Sequence, residues 1–256
     1  MAVLFASLSL ATAASSSFAP PAVAASGPSV SVQLTGLGAT RTAGPKTVSA
    51  ASFTRSVGTA SAARTCRIAS GTPLAALRAL GVTFVVKDFG RCSLNVIDSA
   101  SLFVDSVRGV AGTGMQGWSY KVNNRAGSAG AADPKGPFGS GALRSGSKVL
   151  WFWCRYDPQT YACQPNLVIV APTRVGRART FTVEVREYDD AGKAKPAADA
   201  LVRIPGVGEA TTGPTGKVSF TALKTVGAME VKAVEGRMFV SGGGRPEAFP
   251  ARVTVY

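Results

Sequence analysis

The sequence has no histidine, and residues 26–170 have no glutamate. Catalytic sites of the Ser-His-Asp and Cys-His types are excluded, because both use an imidazole to carry the proton. A paired-carboxylate hydrolase would have to draw on five aspartates, and two of these, Asp133 and Asp157, precede prolines in predicted turns. Neither of the glycine-rich runs "GTGMQG" and "GPFGSG" ends in the Gly-Lys-Ser/Thr of a phosphate loop. We therefore expect no enzyme activity and no cofactor.

The chain also lacks an apolar run long enough for a membrane helix, which needs about 20 residues. Its first charged residue is Arg41, and "PAVAASG" offers small residues for cleavage after Ala24 or Ala25. This pattern predicts a secretory signal peptide over residues 1–25. The basic n-region is missing, so either the true start lies upstream or the match to a signal peptide is incomplete. With a signal peptide, the protein is expected to be secreted or held at the cell surface.

Cysteine is rare, with only four residues, but the number is even. In an exported chain this predicts two disulfides. The short segment "CRYDPQTYAC" favours pairing Cys154 with Cys163, because Asp157-Pro158 forms a turn between them. Cys66 then pairs with Cys92. The alternative, a four-cysteine metal site, lacks both a Cys-x-x-Cys spacing and histidine.

Acidic residues are scarce as well: 14 Asp and Glu accompany 28 Lys and Arg, which gives a formal net charge of +14. The imbalance is largest in residues 26–170, where 15 cationic residues accompany five aspartates. A field of this sign attracts polyanions such as wall glycopolymers, extracellular DNA or anionic lipid. No nucleic acid is expected as a specific partner. Alternatively, the charge serves solubility and reflects an arginine-rich composition.

Alternation of apolar and polar residues prevails over helical periodicity and predicts a mainly β protein with one short helix. The helix is "GTPLAALRALG", with Thr72 as N-cap, Pro73 at the first helical position and Gly81 at its end. Its apolar stripe consists of Leu74, Leu77 and Leu80. In residues 55–70 the alternation is lost, which predicts a loop held by Cys66.

All three tryptophans lie in two predicted strands. In "GWSYKVNN", Trp118 and Tyr120 lie on one face and Lys121 on the other, and Asn123-Asn124 begins a turn. In "VLWFWC", Trp151 and Trp153 share one face and Phe152 has the opposite one. We predict that the two strands are neighbours, and that both faces of the second need apolar cover.

These aromatic residues have two interpretations. Either they form the core beneath the predicted helix, or they form a platform that binds a sugar ring or flat ligand beside polar neighbours. On the second interpretation, the ligand-binding residues are Trp118, Tyr120, Lys121, Asn123, Asn124, Arg125, Trp151 and Trp153.

The strand Gly117-Trp118-x-Tyr120-x-Val122-Asn123, a glycine-containing loop and then "LRSGSKVLWFWC" resemble the transcobalamin-like C-terminal domain, a family of unknown function in bacterial secreted proteins. The resemblance covers roughly residues 26–170 and is sharpest over 115–154. It departs at Ser147, where the family has an aspartate. It implies a β-grasp-like fold, in which a sheet curls around one helix, and suggests a small-ligand carrier of the vitamin type. Cobalamin itself is not expected, because no histidine is present to coordinate cobalt.

After "PTRVGRAR", residues 172–179, short strands recur at even spacing between Gly, Pro and Asp turns, which is typical of a β-sandwich. The segment "DDAG" predicts a hairpin turn. Residues 171–256 resemble bacterial immunoglobulin-like or carboxypeptidase-regulatory-like domains, which are usually spacers or adhesion modules. The matching residues are Gly192, Pro196, Ala200, Val202, Thr212 and Gly216.

The sequence thus predicts a signal peptide (1–25), a β-grasp-like domain (26–170) and an immunoglobulin-like sandwich (171–256). The expected function is non-catalytic recognition of an extracellular or cell-wall ligand. The alternatives are a charge-driven binder of wall polyanions, a carrier of a small ligand, and a spacer with no ligand.

Overall fold

A computed structural model of the chain describes residues 26–36, 42–58, 62–235 and 249–256. The predicted signal peptide lies outside these residues. The described chain is mostly β, as predicted, with one short α-helix and one 3₁₀ helix. Within it, no helix combines the length and apolarity needed to cross a membrane.

The N-terminal part, up to residue 165, is built on a five-stranded sheet, here called the aromatic sheet, with the strand order β2-β1-β10-β8-β9. The C-terminal part begins with β11 at residue 166. Its two central strands, β1 and β10, are parallel, and the neighbouring pairs β1–β2 and β10–β8 are antiparallel. The strands are β1 (Ser29–Thr35), β2 (Ala43–Ser49), β8 (Gln116–Val122), β9 (Arg125–Ala126) and β10 (Lys148–Arg155).

One face of this sheet packs on the helix α1 (Pro73–Ala79). The helix begins where the sequence predicts, because the Thr72 side chain accepts a hydrogen bond from the Ala75 N–H at 3.2 Å. Gly81 follows the end of the helix with φ +80°, a conformation that residues with a Cβ rarely adopt. Leu74 and Leu77 of the apolar stripe are fully buried against the sheet.

Most of the described residues in the segment 55–70, which is predicted to be a loop, lie in a two-stranded ribbon, so this prediction is wrong. Alternate residues of the ribbon are buried: Phe53 and Val57 on one strand, Cys66 and Ile68 on the other. Arg55 and Arg64 occupy inward positions of the two strands, and these charged residues conceal the alternation of apolar and polar residues in the sequence. The strands are β3 (Phe53–Val57) and β4 (Arg64–Ile68).

A further small sheet of three antiparallel strands, in the order β5-β6-β7, completes the N-terminal part. The 3₁₀ helix Val96–Ser101 precedes its middle strand. Both predicted disulfides are confirmed: Cys66 pairs with Cys92 and Cys154 with Cys163. The strands are β5 (Phe84–Asp88), β6 (Leu102–Val107) and β7 (Val110–Ala111).

The C-terminal part consists of two sheets that share one apolar core. In the first sheet, β13 pairs with β11, β14 and β17, and the second has the order β12-β19-β18-β15-β16. The strands of the first sheet are β11 (Asn166–Val170), β13 (Thr180–Tyr188), β14 (Ala194–Pro196) and β17 (Lys217–Thr221). Those of the second are β12 (Arg174–Val175), β15 (Ala200–Ile204), β16 (Gly208–Thr211), β18 (Gly227–Glu235) and β19 (Ala251–Val255).

The alternation predicted for β13 is confirmed, since Phe181, Val183 and Val185 are buried in this core. The predicted hairpin turn joins β13 to β14, and Asp189 accepts a backbone hydrogen bond from the Lys193 N–H at 2.8 Å. Strand β11 pairs with β13, although it precedes residue 171, where the sequence divides the two predicted domains.

The second face of the aromatic sheet is covered by the C-terminal part. Leu150, Phe152 and Cys154 point to this face and form a small buried cluster with Phe249. Lys121, on the same face, is completely buried, and its ammonium lies 2.9 Å from the Asp190 carboxylate of the β13–β14 turn. The expectation that both faces of β10 need apolar cover is therefore confirmed.

Asp190 accepts two further hydrogen bonds. Its second carboxylate oxygen accepts the Cys163 N–H at 2.7 Å, and its carbonyl accepts the Ala126 N–H at 3.0 Å. Lys121 also donates to the Tyr188 carbonyl at 3.2 Å. We call this set of contacts the joint. Burial lowers the pKa of Lys121 below its usual value, and the bond to Asp190 counteracts this effect.

We predict that Asp190→Asn destabilises the protein by about 3 kcal/mol near neutral pH, because it leaves a buried ammonium without its counter-ion. The measurement is urea unfolding. Since the folded variant would release the Lys121 proton more readily than the unfolded chain, the loss should shrink as pH rises towards about 10. Asp189→Asn, in the same turn but exposed, is the matched control and should cost less than about 1 kcal/mol. Equal losses for the two variants would contradict a joint based on this ion pair.

Candidate functional site

The predicted aromatic platform lies in the core. Trp118, Tyr120, Trp151 and Trp153 are each at most 7% exposed. Strands β8 and β10 are neighbours, as predicted, and their register sets Trp153 opposite Trp118 and Trp151 opposite Tyr120. The ring centroids lie 5.5 Å apart in the first pair and 5.4 Å apart in the second, which are packing distances for aromatic pairs.

The polar atoms of these rings are also satisfied within the chain. The indole N–H of Trp151 donates to the Pro73 carbonyl at the start of α1, and that of Trp118 to the Val110 carbonyl. The Tyr120 hydroxyl donates to the Ala129 carbonyl at 2.6 Å. A Cβ at Gly127 would lie 2.1 Å from the Tyr120 ring, so glycine there lets the following loop close over it. The core interpretation therefore accounts for all four aromatic residues.

The polar residues predicted beside the platform have structural roles. Asn123 and Asn124 have φ angles of 49° and 73° and form the tight turn between β8 and β9, a conformation that asparagine tolerates. Their side-chain oxygens accept hydrogen bonds from the Lys148 N–H and the Asn166 amide. Arg125 stacks on Phe138, and Lys121 belongs to the joint. The structure thus brings the predicted residues together around two strands, but without an open binding surface among the aromatic rings.

An open cleft of about 420 Å³ lies between the β1–β2 hairpin and strands β18 and β19. Its volume would suit a small ligand. The described residues that line it include no aromatic ring, and their cations are Arg252 and Lys232, of which Lys232 pairs with Glu230 at 2.9 Å. A concave aromatic pocket, expected for the small-ligand alternative, is therefore not found at this cleft.

The five aspartates of the N-terminal part are all held by local partners. Asp105 pairs with Lys87 at 2.7 Å, Asp98 accepts the Ser93 hydroxyl, and Asp133 and Asp157 accept backbone N–H groups in turns. Asp88 accepts the Gly90 and Cys92 N–H groups and the Ser101 hydroxyl, and it pairs with Arg64. Few of the surrounding cations can therefore find a carboxylate partner in this part of the chain.

Five arginines of the N-terminal part lie on or beside the ribbon β3–β4. Arg67 and Arg91 are the chain neighbours of Cys66 and Cys92, whose Cα atoms the disulfide holds 5.3 Å apart. Because Arg67 alternates with Cys66 along β4, its side chain lies on the outer face of the ribbon. Arg55 lies opposite Cys66 in the register of the two strands, and Arg64 lies on the same strand as Cys66. One carboxylate, that of Asp88, forms an ion pair with this set. We name the set the arginine ribbon; it consists of Arg55, Arg64, Arg67, Arg78 and Arg91.

Sequence reasoning recognised the excess of positive charge but missed the arginine ribbon, because residues 55–70 were predicted to be a loop. The sequence did hold a signal. The predicted bond between Cys66 and Cys92 implies that the two chain segments carrying Arg67 and Arg91 adjoin. The position of Arg78 at the end of α1, beside Phe53, depends on the packing of the helix against the ribbon.

Comparisons with known proteins add little to this description. No family model and no curated protein matches the chain. Among solved structures, a match is the CARDB domain of a Pyrococcus furiosus protein in complex with di-metal ions, with 22% identity and a TM-score of 0.24. The match covers 36% of this chain and 90% of that domain. A TM-score this low carries no argument. The described part of this chain contains no group of three or more Cys, Asp or Glu residues arranged to hold a metal.

Tyr120 provides a titration that reports on the aromatic core. Burial raises the pKa of its hydroxyl well above the usual value, and the Asp133 carboxylate adds to the effect. The folded state therefore keeps a proton that the unfolded chain loses above about pH 10. The stabilisation is complete below that pH and declines as pH rises further.

We predict that the free energy of unfolding falls above about pH 10 and that Tyr120→Phe reduces this fall. Tyr156, whose pKa burial also raises, should account for part of the remainder. The exposed Tyr161, changed to Phe, is the control and should leave the fall as it is. Denaturant unfolding at several alkaline pH values measures the effect. The same pH profile for both variants would mean that the Tyr120 ring has access to solvent.

Proposed function

We propose that the protein is a non-catalytic, exported binding module that recognises an anionic wall polymer through the arginine ribbon. The observation that carries this proposal is the group of five arginines with one paired carboxylate, Asp88, around β3–β4. Guanidinium groups bind phosphate and carboxylate oxygens well, because their N–H groups form a rigid fork. The burial of the aromatic rings favours recognition by surface charge over recognition by stacking.

Non-catalytic recognition is supported by the chemistry of the chain. It has no histidine, and the aspartates of the N-terminal part are engaged in turns and ion pairs. Export to the cell surface or beyond is supported by the two disulfides, which persist in oxidising compartments.

The finer assignments of fold belong to the same proposal. A β-grasp-like N-terminal domain is supported by the sheet order β2-β1-β10-β8-β9, with its first and last long strands parallel at the centre and α1 across one face. The resemblance to the transcobalamin-like domain rests on Gly117 to Asn123, which form β8 and its turn. An immunoglobulin-like C-terminal domain is supported by the two sheets around one core. The pairing of β11 with β13 favours a domain boundary near residue 165.

We predict that the mature protein binds poly(glycerol phosphate) and that the affinity depends steeply on salt. If four phosphates are contacted, at a slope of about −0.7 each, the affinity should fall roughly fiftyfold between about 50 and 200 mM salt. Co-sedimentation with the immobilised polymer measures it. Because exposed charges are screened, a small salt effect would point to a different kind of site.

The matched comparison removes two cations from either part of the protein. The double variant Arg67→Gln, Arg91→Gln should have a roughly tenfold lower affinity for the polymer at low salt and a shallower salt dependence. Replacing the exposed Lys193 and Lys217 of the C-terminal part by Gln makes the same change in net charge and should have less than about a twofold effect. No binding at low salt, or equal losses in the two double variants, would contradict a site on the arginine ribbon.

A further inference from the structure

Arg55 and Arg78 differ from the other arginines of the ribbon because their guanidinium groups stack on aromatic rings. Each guanidinium lies over a phenylalanine ring: Arg55 is 4.3 Å from the centroid of Phe84, and Arg78 is 4.6 Å from that of Phe53. Both rings are at most 7% exposed. Arg55 also donates a hydrogen bond to the Phe84 carbonyl. These contacts fix the two planar groups, so that little side-chain freedom remains to be lost when a ligand binds.

The two guanidinium groups are neighbours. Phe53 and Arg55 are two residues apart on β3, and such residues lie on one face of a strand roughly 7 Å apart. Since Arg78 covers Phe53, its charge lies beside that of Arg55. The electrostatics agree: burial, and next to it the charge of Arg78, lower the pKa of the Arg55 guanidinium.

Neither group has a counter-ion within the described residues. Thr59 to Ser61, which follow β3 in the sequence, include no acidic residue. Two adjacent positive charges on apolar ring faces repel each other, and the partly buried position of Arg55 reduces their screening. An anion between them would remove this repulsion.

We propose that Arg55 and Arg78 form a clamp for a phosphate-type oxyanion. The clamp rests on the proposed function, for which it would hold one phosphate group of the polymer. A carboxylate has two oxygens and is matched by a single guanidinium fork, whereas a phosphate has further oxygens and can accept from two forks at once. Arg55 keeps N–H donors for this purpose, because a guanidinium has five and the Phe84 carbonyl takes one.

The test separates the geometry of the clamp from its charge. Arg78→Lys keeps the positive charge and suits the end of a helix, but it replaces the planar fork by an ammonium group. The matched control is Arg144→Lys, at an exposed arginine outside the ribbon that covers no ring and forms no ion pair in the described chain. Pyrophosphate at constant ionic strength is the probe. Calorimetry gives the affinity, and the NMR signals of the arginine Nε–H groups identify the residues that bind.

We predict that pyrophosphate shifts the signals of Arg55 and Arg78, and that Arg78→Lys weakens binding roughly tenfold. Arg144→Lys should weaken it by less than about twofold. Acetate at the same ionic strength should bind more weakly than pyrophosphate. Equal affinities for pyrophosphate in the two variants, no shift of the two signals, or an equal affinity for acetate would each overturn the clamp.

Failure of the clamp and failure of the proposed function give different results. If the polymer binds with a steep salt dependence but pyrophosphate does not shift Arg55 and Arg78, the proposed function stands and the clamp is overturned. If pyrophosphate binds at the two arginines while the polymer does not bind at low salt, the clamp stands and wall-polymer recognition is overturned.

Discussion

The buried ion pair between Lys121 and Asp190 holds the two parts of the protein in one arrangement. An ammonium in an apolar environment is costly unless a charged partner is fixed beside it. Lys121 lies on the face of the aromatic sheet that α1 does not cover, and Asp190 reaches it from the β13–β14 turn. The Cys163 N–H orients Asp190 in turn, so the short disulfide loop adds to the same contact.

This joint decides which surfaces remain available for recognition. With α1 on one face and the C-terminal part on the other, the aromatic sheet is enclosed on both sides. The three tryptophans are therefore buried in the core of the N-terminal part. What the protein presents to solvent around β3–β4 is positive charge, because the carboxylates of the N-terminal part are taken up by turns and by single cations. The clamp at Arg55 and Arg78 would add geometric selectivity to that charge.

Local signals in the sequence were sufficient for much of the fold. Strand parity set Trp118 with Tyr120 and Trp151 with Trp153 on one face, Thr72 marked the start of the helix, and the turn at Asp157-Pro158 led to the pairing of the cysteines. The candidate site was harder, because it depends on contacts between distant segments. The partner of Lys121 follows many residues later, and Arg55 occupies an inward position that conceals the strand pattern. Patterns with periods of two or four residues contain no information about such pairings.

The central claim is that the aromatic sheet is closed and that recognition relies on surface charge. Acrylamide quenching of tryptophan fluorescence, with and without poly(glycerol phosphate), tests it most directly, since all three tryptophans lie in this sheet. The account predicts weak quenching that the bound polymer leaves unchanged. Strong quenching in the free protein, suppressed when the polymer binds, would contradict it and would restore the tryptophans as the binding surface.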